Sequence, residues 1–398
     1  MRFSFLLFWL THHFLLQGQD YTSFTKSLQY LKDAPTPAEA NSRWTALTSR
    51  EAVPFVFEDS VAFLYKGEAQ SVMWLGDFND WGSREHYPKK GERLGRTDIW
   101  ILKAAFPKDA RLDYKIVVNE SNWILDPMNP HQQWSGVGGG SPNSELRMPG
   151  WKADSLTTAL LPGVKTGKLE KDILYTSTIL GYQISYSVYL PPGYDPRVVY
   201  PIIYVTDGYE YIHEEMGNMI TILNNLIHLH RIRPVIAVFI DHREPADRSN
   251  NRRMRELAMN EKYLSFVTDE LIPRVEKKYT ASTNPGQRAI IGTSMGGLTS
   301  AYFAFSKPDV FGMAGIQSPA FWFKPEIYTL CENPAQPPVK TFMTTGKIFD
   351  TQEGSEKMKS LLDKNACAYQ YVEVNQGHSW GNWRDQLDDL LIYFFPVN

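Results

Sequence analysis

The chain has 398 residues, of which 43% are hydrophobic, 13% aromatic and 21% charged, with a net charge of −3. This is the profile of a globular protein with room for more than one core. The near-neutral charge excludes the basic surface of a nucleic-acid binder or of a protein held on an anionic membrane. In chain order, Arg2, the apolar run Phe3–Leu10, Phe14–Leu16 and then Gln17-Gly18-Gln19 read as a secretory leader cut near Gly18 or Gln19. The alternative is a buried N-terminal helix. The leader reading removes residues 1–19 and implies an exported protein, periplasmic or secreted. No cysteine stands at the cut, and no later run of 18 apolar residues follows, so no membrane anchor is expected. Residues 20–50 read as helical around Tyr30, Leu31 and Trp44. From residue 53 the pattern changes to short alternating strands: Val53–Glu58, Ala62–Tyr65, Ser71–Leu75, Trp100–Ala104, Asp113–Val118 and Trp123–Leu125. They predict a small β-sandwich within residues 20–150. The Gly- and Ser-rich stretch Ser135–Ser144 reads as a linker.

Beyond residue 150 the chain reads as a second domain, residues 151–398. Strands are expected at Leu174–Ile179, Gln183–Leu190, Pro201–Val205, Val235–Ile240, Ala289–Ile291, Gly312–Gln317, Thr341–Thr345 and Tyr369–Val374. Helices are expected at Met219–His230, Lys262–Tyr279, Met295–Phe305, 353–364 and Trp380–Phe394. This alternation, with continuously apolar strands, predicts an α/β fold with a mostly parallel sheet covered on both faces. Cys331 and Cys367 can pair in an exported protein or remain two buried thiols.

The strongest local signal is Gly292-Thr293-Ser294-Met295-Gly296, which follows an apolar strand and opens a helix. It fits the strand–turn–helix elbow that projects a serine nucleophile, where side chains two residues to either side would clash. The Met295 N–H, at the helix N-terminus, is the natural first oxyanion donor. His378 lies on the loop between the last strand and the last helix, where a base can reach Ser294. The orienting acid is expected after the strand Thr341–Thr345, as Asp350 or alternatively Glu353, unless the site works without an acid. A second oxyanion N–H is expected from Gly208 or Tyr209, after the third strand of the domain, unless Asp207-Gly208 is a plain turn. Arg253 and Arg255 either face the cleft and hold a polar or anionic substrate or belong to a solvated loop. The sequence carries no metal-site or phosphate-loop motif, and no cofactor is expected.

Residues 165–398 resemble the esterase D-like α/β-hydrolases, which include enterochelin (siderophore) esterases and feruloyl and acetyl-xylan carbohydrate esterases. The likeness rests on Tyr189–Tyr194, Asp207-Gly208, Arg255-Glu256-Leu257, Glu270–Pro273, Gly292–Gly297, Ser318–Trp322 and Gly377–Trp383. The resemblance implies a serine esterase with the triad Ser294, Asp350 and His378, and places Trp380 beside the substrate. Residues 53–130 resemble the immunoglobulin-like early-set domain of glycogen-binding modules, through Val72–Trp81, Tyr114-Lys115 and Trp123–Pro127. That resemblance implies possible glycan contacts at Trp81, Lys115 and Trp123, or a spacer beside the active site. The expected partner is an ester substrate, glycan-linked or a siderophore, with feruloyl or acetyl esters of plant polysaccharide first, a trilactone siderophore second and a non-catalytic glycan binder third.

Overall fold

The computed structural model describes residues 21–136, 140–332 and 338–397. The leader-like residues 1–19 lie outside them, and among the described residues no helix is long and apolar enough to cross a membrane. Helices Tyr21–Lys32 and Pro37–Thr48 open the described chain. The second starts sharply because the Thr36 hydroxyl accepts the Glu39 N–H and Pro37 needs no partner in the first turn. Their apolar faces cover a four-stranded antiparallel sheet formed by Phe55–Phe57, Ser60–Lys66, Glu92–Arg93 and Ile99–Ala105. Along Ser60–Lys66, Ala62 and Leu64 meet these helices, whereas Val61 and Phe63 meet a second sheet through Trp74, Tyr114 and Ile116. Side chains alternate sides with a period of two, so a strand covered on both faces is apolar at successive positions.

The second sheet orders Val72–Gly76, Arg111–Val118, Ser141–Arg147 and Gln132–Ser135, with Asn122–Ile124 paired to Arg111–Val118. The stretch expected as a linker is therefore a hairpin, with Ser135 opposite Ser141, and its residues 137–139 lie outside the described ones. Its second strand carries little hydrophobic signal because, apart from Leu146, its buried residues are polar. Asn143 donates to Asp113, the Ser144 hydroxyl accepts the Asp126 N–H, and Glu145 accepts from Arg111.

The large sheet has eight strands: β1 (Lys168–Thr176), β2 (Gln183–Leu190), β3 (Ile202–Val205), β4 (Ile236–Asp241), β5 (Arg288–Thr293), β6 (Met313–Gln317), β7 (Lys340–Gly346) and β8 (Tyr369–Val374). Their spatial order is β1-β2-β4-β3-β5-β6-β7-β8. β2 is antiparallel to both its neighbours and the remaining pairs are parallel. Ile202 and Tyr204 point into one core and Ile203 and Val205 into the other, which explains the unbroken apolar runs. β1 begins earlier than its apolar residues suggest. The register shifts between Glu170 and Ile173, around Asp172 at φ 53°, and the charges of this outer strand hid it. The last helix is two, Trp380–Asp385 and Leu387–Phe394, broken at Gln386. Cys331 and Cys367 are free thiols, and burial pushes the Cys331 thiol up to about 11.

Candidate active site

β5 is buried along its whole length and ends at Ser294, whose φ of 59° and ψ of −116° lie in a region that non-glycine residues avoid. Helix Met295–Ser306 starts at the next residue. The turn is held by its neighbours: the Ser294 N–H donates to Gln317 O, and Ser294 O accepts from Ala320 N. A Cβ on Gly292 would collide with the Thr206 hydroxyl and the Gly296 backbone, and one on Gly296 with the same hydroxyl. Gly292→Ala should therefore destabilise the fold by about 1–3 kcal/mol through overpacking. Urea denaturation followed by fluorescence measures this, and an unchanged midpoint would contradict the tight turn.

His378 lies on the loop after β8, with Nε2 3.0 Å from Ser294 Oγ and Nδ1 2.6 Å from Asp350 Oδ1. Its ring packs edge-on against Trp383 at a centroid distance of 5.0 Å. The Asp350 carboxyl is fully buried, and its Oδ2 accepts from the Ser318 hydroxyl at 2.6 Å and the Gly346 N–H at 2.5 Å. Ser318 is itself held by the Trp383 indole N–H. Glu353, the alternative acid, is exposed on the first turn of helix Gln352–Lys364, and the carboxylate at His378 is that of Asp350.

Met295 is the first residue of its helix, where N–H groups lack intrahelical acceptors. Asp207 adopts φ 51° at the end of the β3 loop, and Gly208 opens the short helix Gly208–Ile212. A Cβ on Gly208 would run into the Phe239 and Ile240 backbone. Tyr209 lines the cleft beside Ser294, under the Arg243 guanidinium.

Arg253 reaches the cleft wall, but its guanidinium is already engaged. Nε and Nη2 hold the Asp207 carboxylate at 2.7 and 2.9 Å, and Nη2 also donates to Thr293 O. Burial works against its charge, yet Asp207 outweighs this and holds it protonated. It thus ties the β3 loop to the serine turn instead of offering a free cation. Arg255 is exposed, stacks over Tyr182 at 4.9 Å and is absent from the cleft lining. Trp380 lines the cleft as a buried wall, its indole N–H donating to Glu210. Burial raises Glu210 above the ordinary carboxylate range, and neighbouring Asp207 adds to the effect.

The cleft measures about 820 Å³ and lies between the two parts of the molecule. Its far wall carries Trp81, Lys115 and Trp123, with Trp81 37% and Trp123 48% exposed. Sequence reasoning missed Asp77, Asp113, Asn143, Trp322 and Phe349 as lining residues. Trp322 is 74% exposed. The motif Ser318–Trp322 had drawn attention to it, but an aromatic residue by itself points first to the core. Among the described residues no cluster of His, Cys, Asp or Glu could hold a metal ion.

Residues 177–342 match the profile of the family described as "Putative esterase". An iron(III) enterobactin esterase of Dickeya dadantii is 25% identical over 278 residues, covering 61% of this chain and 60% of that protein. The chain is an esterase of the α/β-hydrolase fold. An endo-1,4-beta-xylanase/feruloyl esterase of Xylanibacter ruminicola is 27% identical to this esterase over 309 residues, 75% of this chain and 40% of that one. The crystal structure of the enterobactin esterase FES from Shigella flexneri in the presence of enterobactin superposes on the esterase with a TM-score of 0.69 at 19% identity. That match covers 84% of this chain and 92% of the other, and it shows a shared fold.

Proposed function

We propose that this esterase cleaves a neutral ester carried by a glycan, such as a feruloyl or acetyl ester of plant polysaccharide, through an acyl-enzyme on Ser294. The observation that carries the reading is the line Ser294–His378–Asp350, at 3.0 and 2.6 Å, on the floor of a cleft walled by exposed tryptophans. His378 takes the Ser294 proton as the hydroxyl attacks the ester carbonyl, while Asp350 fixes the imidazole tautomer and stabilises the imidazolium. The N–H groups of Met295 and of the Gly208–Tyr209 turn receive the oxyanion. His378 returns the proton to the departing alcohol; water then attacks the acyl-enzyme by the reverse sequence.

A neutral substrate is supported by the cleft's charges. Among the lining residues Arg253 is paired with Asp207, and Lys115 is the other lysine or arginine. Carboxyl groups come from Asp77, Asp80, Asp113, Glu210 and Asp350, of which Asp80 and Asp113 are paired with Arg84 and Arg111. Indole faces such as those of Trp81, Trp123 and Trp322 suit a sugar ring or an aryl acyl group. Turnover of methyl ferulate and of acetylated xylan tests the proposal, and inactivity on both sinks it. Trp81→Ala and Trp123→Ala should each raise KM on acetylated xylan by about 3–10-fold, the value of one lost aromatic contact. A smaller effect on methyl ferulate is expected, and equal effects would argue against a sugar role for these residues.

The Dickeya dadantii relative favours a second reading, a trilactone siderophore esterase using the same serine. The engaged state of Arg253 and the position of Arg255 weaken it, since free arginines facing the cleft were the feature that suited an anionic ligand. Mass spectrometry of enterobactin after incubation decides between the two.

A further inference from the structure

The loop that carries His378 is built against the N-terminal part of the chain. Arg111, in the second sheet, is fully buried. Its Nε donates to Glu145 at 2.6 Å and its Nη2 to Asp113 at 2.9 Å. The third arm crosses to the other domain, where Nη1 donates to Ser379 Oγ at 3.1 Å. The Arg111 backbone N–H also donates to Asn375 O. Two glycines bracket this loop, and each leaves room for a side chain from the N-terminal part. A Cβ on Gly381 would collide with the Arg111 guanidinium, and one on Gly377 with the Asp77 carboxyl. Asp77 in turn accepts the Asp113 N–H at 2.8 Å. The catalytic part holds the loop from the other side: Asn382 donates to Gly377 O, and the Trp383 N–H to Ser379 O. Asp385, held by Trp151 and Gln376, adds a further carboxylate facing Arg111, and Arg384 a like charge.

We propose that Arg111 is a positioning residue for His378, so that the N-terminal domain completes the active site by clamping the base loop. This rests on the reading of His378 as the general base. A free arginine end would give way to a new methyl group at low cost. Arg111 cannot, because Asp113 and Glu145 fix its fork, and a guanidinium bonded to two carboxylates holds geometry that a single ammonium would not. A change at Gly381 is therefore transmitted to His378, three residues from the point of contact. Displacement of a reacting group by about 1 Å costs on the order of 10²-fold in rate.

The test uses the full chain with Gly381→Ala, Ser379→Ala and Arg111→Lys. Three quantities are read: the rate of Ser294 labelling by a fluorophosphonate, kcat and KM on p-nitrophenyl acetate, and the downfield Nδ1 proton resonance of His378. Gly381→Ala should slow labelling and lower kcat on the order of 10²-fold. KM should change less than about twofold, since an interaction used only in the transition state acts on kcat. Ser379→Ala, which removes one hydrogen bond from a charged donor, should cost about tenfold. Arg111→Lys should fall in the same direction, and the His378 resonance should shift or vanish in all three. Alanine for glycine inside a helix ordinarily stabilises, so a folded but slow Gly381→Ala separates positioning from general damage. Folded variants with rates within about twofold of the native chain and an unmoved resonance overturn the proposal. If Gly381→Ala fails to fold, Ser379→Ala decides on the same readouts. A native chain that does not label at Ser294 overturns the esterase mechanism instead, and the resonance still reports whether Arg111 holds the loop.

Discussion

Replacing Ser294 by alanine should lower kcat on p-nitrophenyl acetate by about 10⁵–10⁶-fold while leaving KM within a few-fold. In the proposed mechanism Ser294 Oγ forms the acyl bond, and it stands 3.0 Å from the nitrogen of His378 that is not turned to Asp350. Removing it leaves a site that still binds the ester and still presents oxyanion donors, so a residual rate of about 10³–10⁴ over water remains. His378→Ala should cost nearly as much, and the double variant hardly more than either alone, because the two groups act as a unit. Steady-state kinetics on purified protein measure all three. A Ser294→Ala variant with a tenth of native activity would place the nucleophile elsewhere.

Asp350→Asn should be the next most damaging change, at about 10⁴-fold in kcat. The reason lies in what surrounds the carboxyl. Ser318 and the Gly346 N–H both donate to Oδ2, so an asparagine would turn its carbonyl oxygen toward them. Its NH₂ would then face His378 Nδ1, which would have to become an acceptor. The proton would move to Nε2, and the base could no longer take one from Ser294. Glu353→Gln, on the exposed start of its helix, should change kcat by less than about twofold. If instead the Glu353 variant loses activity and Asp350→Asn keeps it, the orienting acid is misassigned.

Much of this site was legible in the sequence because its chemistry has fixed spacing. Gly292 and Gly296 flank Ser294 for steric reasons that any such turn imposes, and chain order together with loop position directed attention to a late histidine and an intervening acid. The strands were legible wherever they lie in the doubly covered sheet, since Ile202–Val205 and Ala289–Ile291 must be apolar on both faces. Sequence reasoning failed where polar groups are buried by partners instead of being solvated. Ser135–Ser144 looked like a linker because Asn143 and Ser144, like Glu145 beyond them, meet their partners only in three dimensions. Arg253 read as either a substrate cation or a solvated loop residue, because its partner Asp207 lies 46 residues away in the chain. Arg111 gave no signal at all, for a lone arginine in an alternating strand reads as its solvent face.

The outer strand β1 has a consequence of a different kind. It is the edge of a long sheet, with Lys168, Glu170, Lys171 and Asp172 in its first half and a register shift in the middle. Arg248 reaches Asp172 across that shift, and Lys278 reaches Glu170. An edge that is bulged, charged and tied down offers no straight row of free N–H and C=O groups to a second copy. At this side the sheet is closed to growth by strand addition, and the protein is protected there from edge-to-edge aggregation at high concentration.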